Sequence, residues 1–296
     1  MQKIKGVCLV VLSALLFGFT PILGKMTYTE GSNAVTLLFL RAVLALPILL
    51  GYLCIRKISL RVSGRELFEL LFLSAVGSYA TTLLLYSSYS YLSVGLSTTL
   101  HFIYPMVTVM CTRVLFREKL SYAKIVAAVL SLVGVFLSAE ITSGTSALGA
   151  AYALLSGCTY AFYIVLLDHT RLKNMHFMKL AFYQCLISSL CVGLINGSQG
   201  ELQMILTVKG YVLSALVAIL VSVVAIPAFQ VGVKLSGGMT AALLSTFEPV
   251  TSILCGILLL NERLTYMKLM GCTLILIAII LSPSQNKTMQ ERKEMR

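Results

Sequence analysis

LSTTLHFIYPMVTVMCTRVLFREKLSYAKIV, residues 96–126, returns without a gap as TAALLSTFEPVTSILCGILLLNERLTYMKLM, residues 240–270. At this constant offset Leu100 and Leu244, Pro105 and Pro249, Cys111 and Cys255, and Leu115 and Leu259 are identical. So are Glu118 and Glu262, Leu120 and Leu264, Tyr122 and Tyr266, and Lys124 and Lys268. Each copy is an apolar run with a central proline, a Glu-basic-Leu turn and a second apolar run. A duplicated apolar unit in a chain this hydrophobic indicates a membrane protein made of two similar halves.

Composition leads the same way. Hydrophobic residues make up 58% and charged residues 11% of the 296 positions, and mean hydropathy is +0.93. A soluble protein of this size needs more charge to cover its surface. Tryptophan is absent, which leaves 14 tyrosines to anchor the chain at the membrane interfaces. The eight cysteines have no metal-ligand spacing and read as small buried hydrophobes. Runs of about 20 apolar residues suffice to span a bilayer. Ten can be placed, at 6–24, 34–55, 67–90, 95–116, 122–139, 147–167, 177–195, 210–233, 240–260 and 266–282. The first, preceded by Lys3 and Lys5, imitates a secretion signal, but it has a counterpart in the second half and is retained as a helix.

The cations set the orientation. With the N-terminus in the cytoplasm, inner segments hold 18 of the 23 basic residues, outer segments hold 4, and Arg41 lies inside a span. That asymmetry follows the positive-inside rule. The net charge of +12 is therefore a topology code and does not argue for a nucleic-acid partner. Five spans precede each return of the pattern, and five is odd, so the second copy runs through the membrane in the opposite sense. The expected fold is an all-α integral membrane protein of ten transmembrane helices, built as two inverted five-helix repeats with both termini cytoplasmic. The expected units are 1–140, 141–284 and a basic cytoplasmic tail at 285–296. Outside the main repeat, Leu12-Ser13 matches Leu155-Ser156, and Phe39 and Arg41 match Phe182 and Gln184.

The chain also resembles a known family. Phe-Leu-Arg at 39–41, the proline-then-Glu-basic-Leu unit in both halves (Pro105 to Leu120, Pro249 to Leu264) and the Glu-Pro pair at 248–249 resemble the EamA branch of the drug/metabolite transporter superfamily. The resemblance spans essentially the whole chain. It implies ten helices in two inverted repeats and transport of small metabolites, commonly export, by alternating access. It names no substrate.

Ionisable groups buried in a bilayer are costly, which makes each a functional candidate. Arg41, His101 and Glu248 are the clearest. Counting along the helices puts Arg41 and His101 about 10 Å below the outer surface and Glu248 about 12 Å above the inner one, with Gln184 near the same depth. Pro105 and Pro249 should each free a carbonyl four residues earlier, on His101 and Ser245. Such carbonyls need a partner inside a membrane. His101, Tyr104 and Pro105 in one half, with Ser245, Glu248 and Pro249 in the other, are thus expected to border one central cavity. Shaping helix packing is the alternative reading of the same kinks. Tyr79, Thr82, Tyr86 and Tyr89 follow helical spacing and can line a cavity or form a packing face, with Tyr89 and Tyr91 then in the outer interfacial belt. Gln230 matches Tyr86 in the repeat. Glu248 and His101 can each carry a proton and are the candidates for coupling. Equally, Arg41 can tie helix 2 to its neighbours, His101 can be a satisfied hydrogen-bonding residue, and Glu248 can be a structural partner of Gln184 or Arg41.

The repeated turns read structurally. Ser121 and Thr265 suit helix N-caps, Leu120 and Leu264 hydrophobic staples, and Glu118 and Glu262 helix-entry braces. Asp168-His169 reads as a solvated pair in a basic loop. No phosphate loop, Gly-x-Ser-x-Gly, His-Glu-x-x-His or paired-cysteine motif occurs. The expectation is a secondary transporter of small organic solutes in a bacterial plasma membrane, an exporter that is not an enzyme. No catalytic, metal or cofactor site is expected, and the partners are a small-molecule substrate and membrane lipid. One copy suffices to build the site. A channel-like permease or a membrane enzyme is the alternative, and an amino acid or related zwitterion is the favoured cargo.

Overall fold

The computed structural model describes residues 2–117, 121–138, 146–197, 200–260 and 265–281. The expected braces Glu118 and Glu262, the staples Leu120 and Leu264, and the tail lie outside them. In chain order the α-helices are α1 (Gln2–Tyr28), α2 (Ala34–Ile55), α3 (Gly64–Phe72), α4 (Thr81–Ser88), α5 (Val94–His101), α6 (Tyr104–Phe116) and α7 (Tyr122–Ser138). They continue as α8 (Ala147–His169), α9 (Phe177–Cys191), α10 (Val208–Val217), α11 (Ile226–Ser236), α12 (Gly238–Leu244), α13 (Phe247–Leu260) and α14 (Tyr266–Leu281). No strand occurs among the described residues.

Eight of the resulting helical runs are long and apolar enough to cross a membrane, while α7 and α14 are apolar but shorter. The chain is an all-α, multi-pass membrane protein. Three of the described runs contain π-helical stretches, one of them at the end of α9, Val192–Asn196. Gly64–Ser88 joins α3 to α4 through a π-helical stretch, Leu73–Ala80, and Val208–Ser236 joins α10 to α11 through another, Ala218–Ala225. The wider π turn spends an extra residue without breaking the ladder, and such stretches are frequent at functional sites.

Caps follow the sequence locally. Ser63 and Glu66 form a reciprocal capping box at α3. Ser121 accepts the Lys124 N–H at 3.4 Å and Thr265 the Lys268 N–H at 3.3 Å, as expected of N-caps. Asp168 differs from its expected solvated state. Its carboxylate accepts from Lys173 at 2.5 Å and from the Gly238 N–H at 2.6 Å, bracing the start of α12. His169 is stacked on Phe116 with ring centres 3.7 Å apart.

The prolines correct the sequence reading most clearly. Neither sits mid-helix. The chain breaks at 102–103 and 245–246, so that Pro105 and Pro249 fall in the first turns of α6 and α13. A first-turn proline forfeits no helical hydrogen bond. The Ser245 carbonyl is taken by the Glu248 N–H at 3.0 Å, and the His101 carbonyl abuts Gly157 on α8.

Small residues set the packing. α1 runs along α11 and α13, α2 along α9, α8 along α4, α5 and α6, and α7 along α14. A Cβ at Gly18 would come within 2.5 Å of the Glu248 carbonyl, and one at Gly157 would collide with that of His101. The break before α6 thus has Gly157 of α8 pressed against it, while Gly18 of α1 packs on the first turns of α13, the close approaches that small residues permit in membranes. The connections sort to two ends. Those around residues 29–33 and 201–209 bond to each other through Glu30, Asn33, Thr36 and Lys209. At the other end, Lys179 and Tyr183 donate to the Arg61 and Leu60 carbonyls. All eight cysteines are free, and Cys185 alone is buried, so the other seven are not the buried hydrophobes expected of them. Cys191 and Cys272 still pack partly buried against the core, whereas Cys8, Cys54 and Cys158 are exposed, as an apolar run in a membrane need not be buried in protein.

Candidate functional site

A cavity of about 100 Å³ lies among α1, α2, α4, α5, α8, α9, α11, α13 and the π stretches at 73–80 and 218–225. Arg41, Tyr86, His101, Gln184 and Glu248, widely separated in sequence, all line it. Each charged or amide lining group is below a tenth exposed: Arg41 6%, His101 5%, Gln184 2% and Glu248 8%. The remaining wall is largely aromatic, with Phe17, Tyr89, Tyr160, Tyr163 and Phe229.

Arg41 projects from the second turn of α2. Its Nη2 donates to Thr82 Oγ1 at 3.2 Å, its guanidinium lies 5.8 Å from the centre of the Tyr86 ring, and its Nε has no partner. Glu248 lies in the first turn of α13, where the unpaired N–H groups of a helix start favour a carboxylate. No ion pair joins Arg41 to Glu248 among the described residues. Gln184 Oε1 accepts from Gln230 Nε2 at 2.7 Å, and Gln184 Nε2 is unpartnered. The structural pairings considered for Glu248 are therefore not made: Arg41 is held by Thr82 and Gln184 by Gln230.

The other expected residues take different places. Tyr104 is fully buried behind the wall, its ring 5.3 Å from His101 and 4.8 Å from Tyr160, its hydroxyl without a partner. Gln230 stands behind Gln184, also donating to the Tyr163 hydroxyl at 3.2 Å. Ser245 returns its hydroxyl to the Ala241 carbonyl of its own helix at 2.9 Å. Tyr79 turns away from the cavity and donates to Asn196 at 2.8 Å. Tyr89, considered for the interfacial belt, is fully buried and lines the cavity; Tyr91 is 49% exposed.

α8 supplies what the sequence reading missed. Ser156, Tyr160 and Tyr163 follow one another at helical spacing on a single face, and the rings of Tyr160 and Tyr163 stack with centres 5.7 Å apart. That polar-aromatic stripe in an apolar helix was the available signal. Thr81 and Thr159 bond at 2.7 Å and tie α8 to the cavity's α4 wall.

The EamA-like transporter pattern matches residues 4–139 and again 147–282. The chain belongs to the EamA-like transporter family. This EamA-type protein is a membrane transporter. An uncharacterized transporter of Synechocystis sp. is 27% identical, with 96% of this chain and 97% of the relative covered. The uncharacterized transporter YcbK of Bacillus subtilis is 24% identical, with 90% and 89% covered. A solved crystal structure superposes with a TM-score of 0.78 at 16% identity, covering 94% of this chain and 96% of its own, which bears on the fold alone. In the EamA-type chain the two matched halves place Arg41 in the first and Glu248 in the second, so each contributes one charge to the shared cavity.

Proposed function

We propose that this protein is a secondary active transporter that exports a small zwitterionic metabolite of the amino-acid type across a bacterial plasma membrane. The observation that carries the reading is one buried basic and one buried acidic side chain, Arg41 and Glu248, lining a single small cavity with no ion pair between them among the described residues. Buried charges left apart are expensive. A ligand bearing the complementary charges offsets both costs at once. Arg41 takes the carboxylate, its planar guanidinium being suited to that geometry, and Glu248 takes the ammonium. The aromatic wall receives the apolar side chain.

The halves act as inverted repeats of five spans each, with α7 and α14 as the fifth and tenth. Both termini lie in the cytoplasm, and the cavity opens alternately to either side. Glu248 exchanges substrate for a proton, which couples export to the proton gradient.

The test is uptake of radiolabelled amino acids into inside-out vesicles, with and without an acid lumen. Saturable uptake stimulated by the acid lumen is the expected result. Flux that never saturates would instead mark a channel, and chemical conversion without flux an enzyme.

A further inference from the structure

His101 contacts Ser156 across the α5–α8 packing, Nδ1 to Oγ, at 2.7 Å. The Ser156 hydroxyl also lies 2.6 Å from the Ala153 carbonyl oxygen one turn back on its own helix. A serine has one proton to give. A carbonyl oxygen can only accept, and two oxygens 2.6 Å apart without a proton between them repel. The Ser156 proton is therefore spent on Ala153. Toward His101, Ser156 can only accept, so His101 Nδ1 must carry a proton and donate it.

Nε2 is then the polar atom His101 has left for the cavity it lines, and no hydrogen bond among the described residues engages it. The ring is held by Tyr104 and Tyr160, with centres 5.3 and 5.4 Å away, and its helix end is pressed against Gly157. Apart from hydroxyls such as that of Tyr89, which is unpartnered and can give or accept, the nitrogen and carboxylate groups of the cavity sort by kind. Arg41 Nε and Gln184 Nε2 are donors without partners. His101 Nε2 and the Glu248 carboxylate are acceptors.

We propose that His101 is a neutral, Nδ1-protonated hydrogen-bond acceptor, its tautomer set by Ser156 and Ala153, and that with Glu248 it forms the pole receiving the substrate's ammonium. This rests on the zwitterion reading above and deepens it. Two acceptors require a cationic nitrogen with at least two N–H groups. A primary or secondary ammonium satisfies them, whereas a hydroxyl supplies one proton and leaves one acceptor unmet. His101 is thus a specificity-determining residue, and Ser156 a positioning residue that acts through it.

Two measurements test this. The first is ¹⁵N NMR of histidine-labelled protein in nanodiscs at neutral pH, with His101 assigned by its disappearance in His101→Gln. The expected signature is a protonated Nδ1 and a bare Nε2 in the wild type, with the fixed preference lost in Ser156→Ala. A protonated Nε2 or an imidazolium in the wild type overturns the proposal.

The second is flux in proteoliposomes of leucine against its α-hydroxy analogue, which exchanges ammonium for hydroxyl. Wild type and His101→Gln, which keeps an acceptor near Nε2, should prefer leucine. His101→Phe and Ser156→Ala should lower the preference about tenfold, roughly the worth of one hydrogen bond to a charged group. An unchanged preference in both variants removes the role given to His101 even if leucine is carried. If neither compound is carried, the zwitterion reading fails and the ammonium pole with it, while the tautomer stands or falls on the NMR alone.

Discussion

At the scale of single residues, the cavity's charges are separate investments. Arg41 is held by Thr82 and the Tyr86 ring, and Glu248 stands in the first turn of α13. Replacing one should therefore leave the other's surroundings intact. Glu248→Gln keeps size and hydrogen bonding while removing the charge. It should fold and insert normally yet lose gradient-driven transport, as vesicle uptake beside a detergent melting curve would report. Arg41→Met gives up the hydrogen bond to Thr82 but also removes a buried, unpaired cation, so stability should change by less than the roughly 1.5–3 kcal/mol of a charged hydrogen bond alone. In a double-mutant cycle the two changes should add to within about 0.5 kcal/mol, as unlinked sites do. Rescue of the Glu248→Gln protein by neutralising Arg41 would instead reveal a direct pair. A sequence can place both charges at depth, because a charged residue inside an apolar run stands out. It cannot say whether they meet, because pairing depends on how two helices distant in the chain are rotated.

Helices and turns raise a different question, that of close approach. Gly157 brings α8 onto the break before α6 and Gly18 brings α1 onto the first turns of α13, and a side chain at either would strike backbone, which cannot rotate away. Gly18→Leu or Gly157→Leu should cost well over 1–3 kcal/mol, the usual price of overpacking, and lower folded yield. Gly51 in α2 has open space around its Cα, and Gly51→Ala should be neutral or stabilising by about 0.5–1 kcal/mol. Size-exclusion profiles of the three variants would separate these outcomes; equal loss in all three would refute the contact argument. The turn between α1 and α2 offers a pH test. Hydrogen bonds from Lys209 first and Thr207 second hold the Glu30 carboxyl below its ordinary value of 4.5. A folded value below the unfolded one means stability present at neutral pH and lost as pH falls through the folded value. Wild type should melt above Glu30→Gln at pH 7, and the two curves should converge as pH is lowered below 4.5. A constant gap across that range would exclude the ionised latch.

For the whole molecule, orientation is the open prediction. In a background without native cysteines, Ser143→Cys and Gln199→Cys should react with an impermeant thiol reagent on intact cells, and Ser63→Cys only after permeabilisation. The 18-to-4 division of basic residues motivates this, and labelling at position 63 in intact cells would reverse the assignment. The connections at 29–33 and 201–209 gather at one end of the molecule, and the 60–61 connection with the start of α9 at the other, so the experiment decides which end is cytoplasmic. What could be read without coordinates was whatever one-dimensional chemistry dictates. Apolar length marked the spans, the repeat marked the halves, serine and threonine marked the helix starts, and the charges at 41 and 248 stood out in apolar runs. Tertiary structure decided the rest. Whether Pro105 and Pro249 bend helices or begin them depends on where the chain turns, at 102–103 and 245–246, and apolar periodicity does not mark those turns. Tyr160 belongs to the cavity and Tyr79 does not because periodicity fixes a face relative to a helix's own axis, whereas packing fixes what that face meets. The His101 tautomer follows from a hydrogen spent between two residues on another helix, and such accounting exists only once the chain has folded.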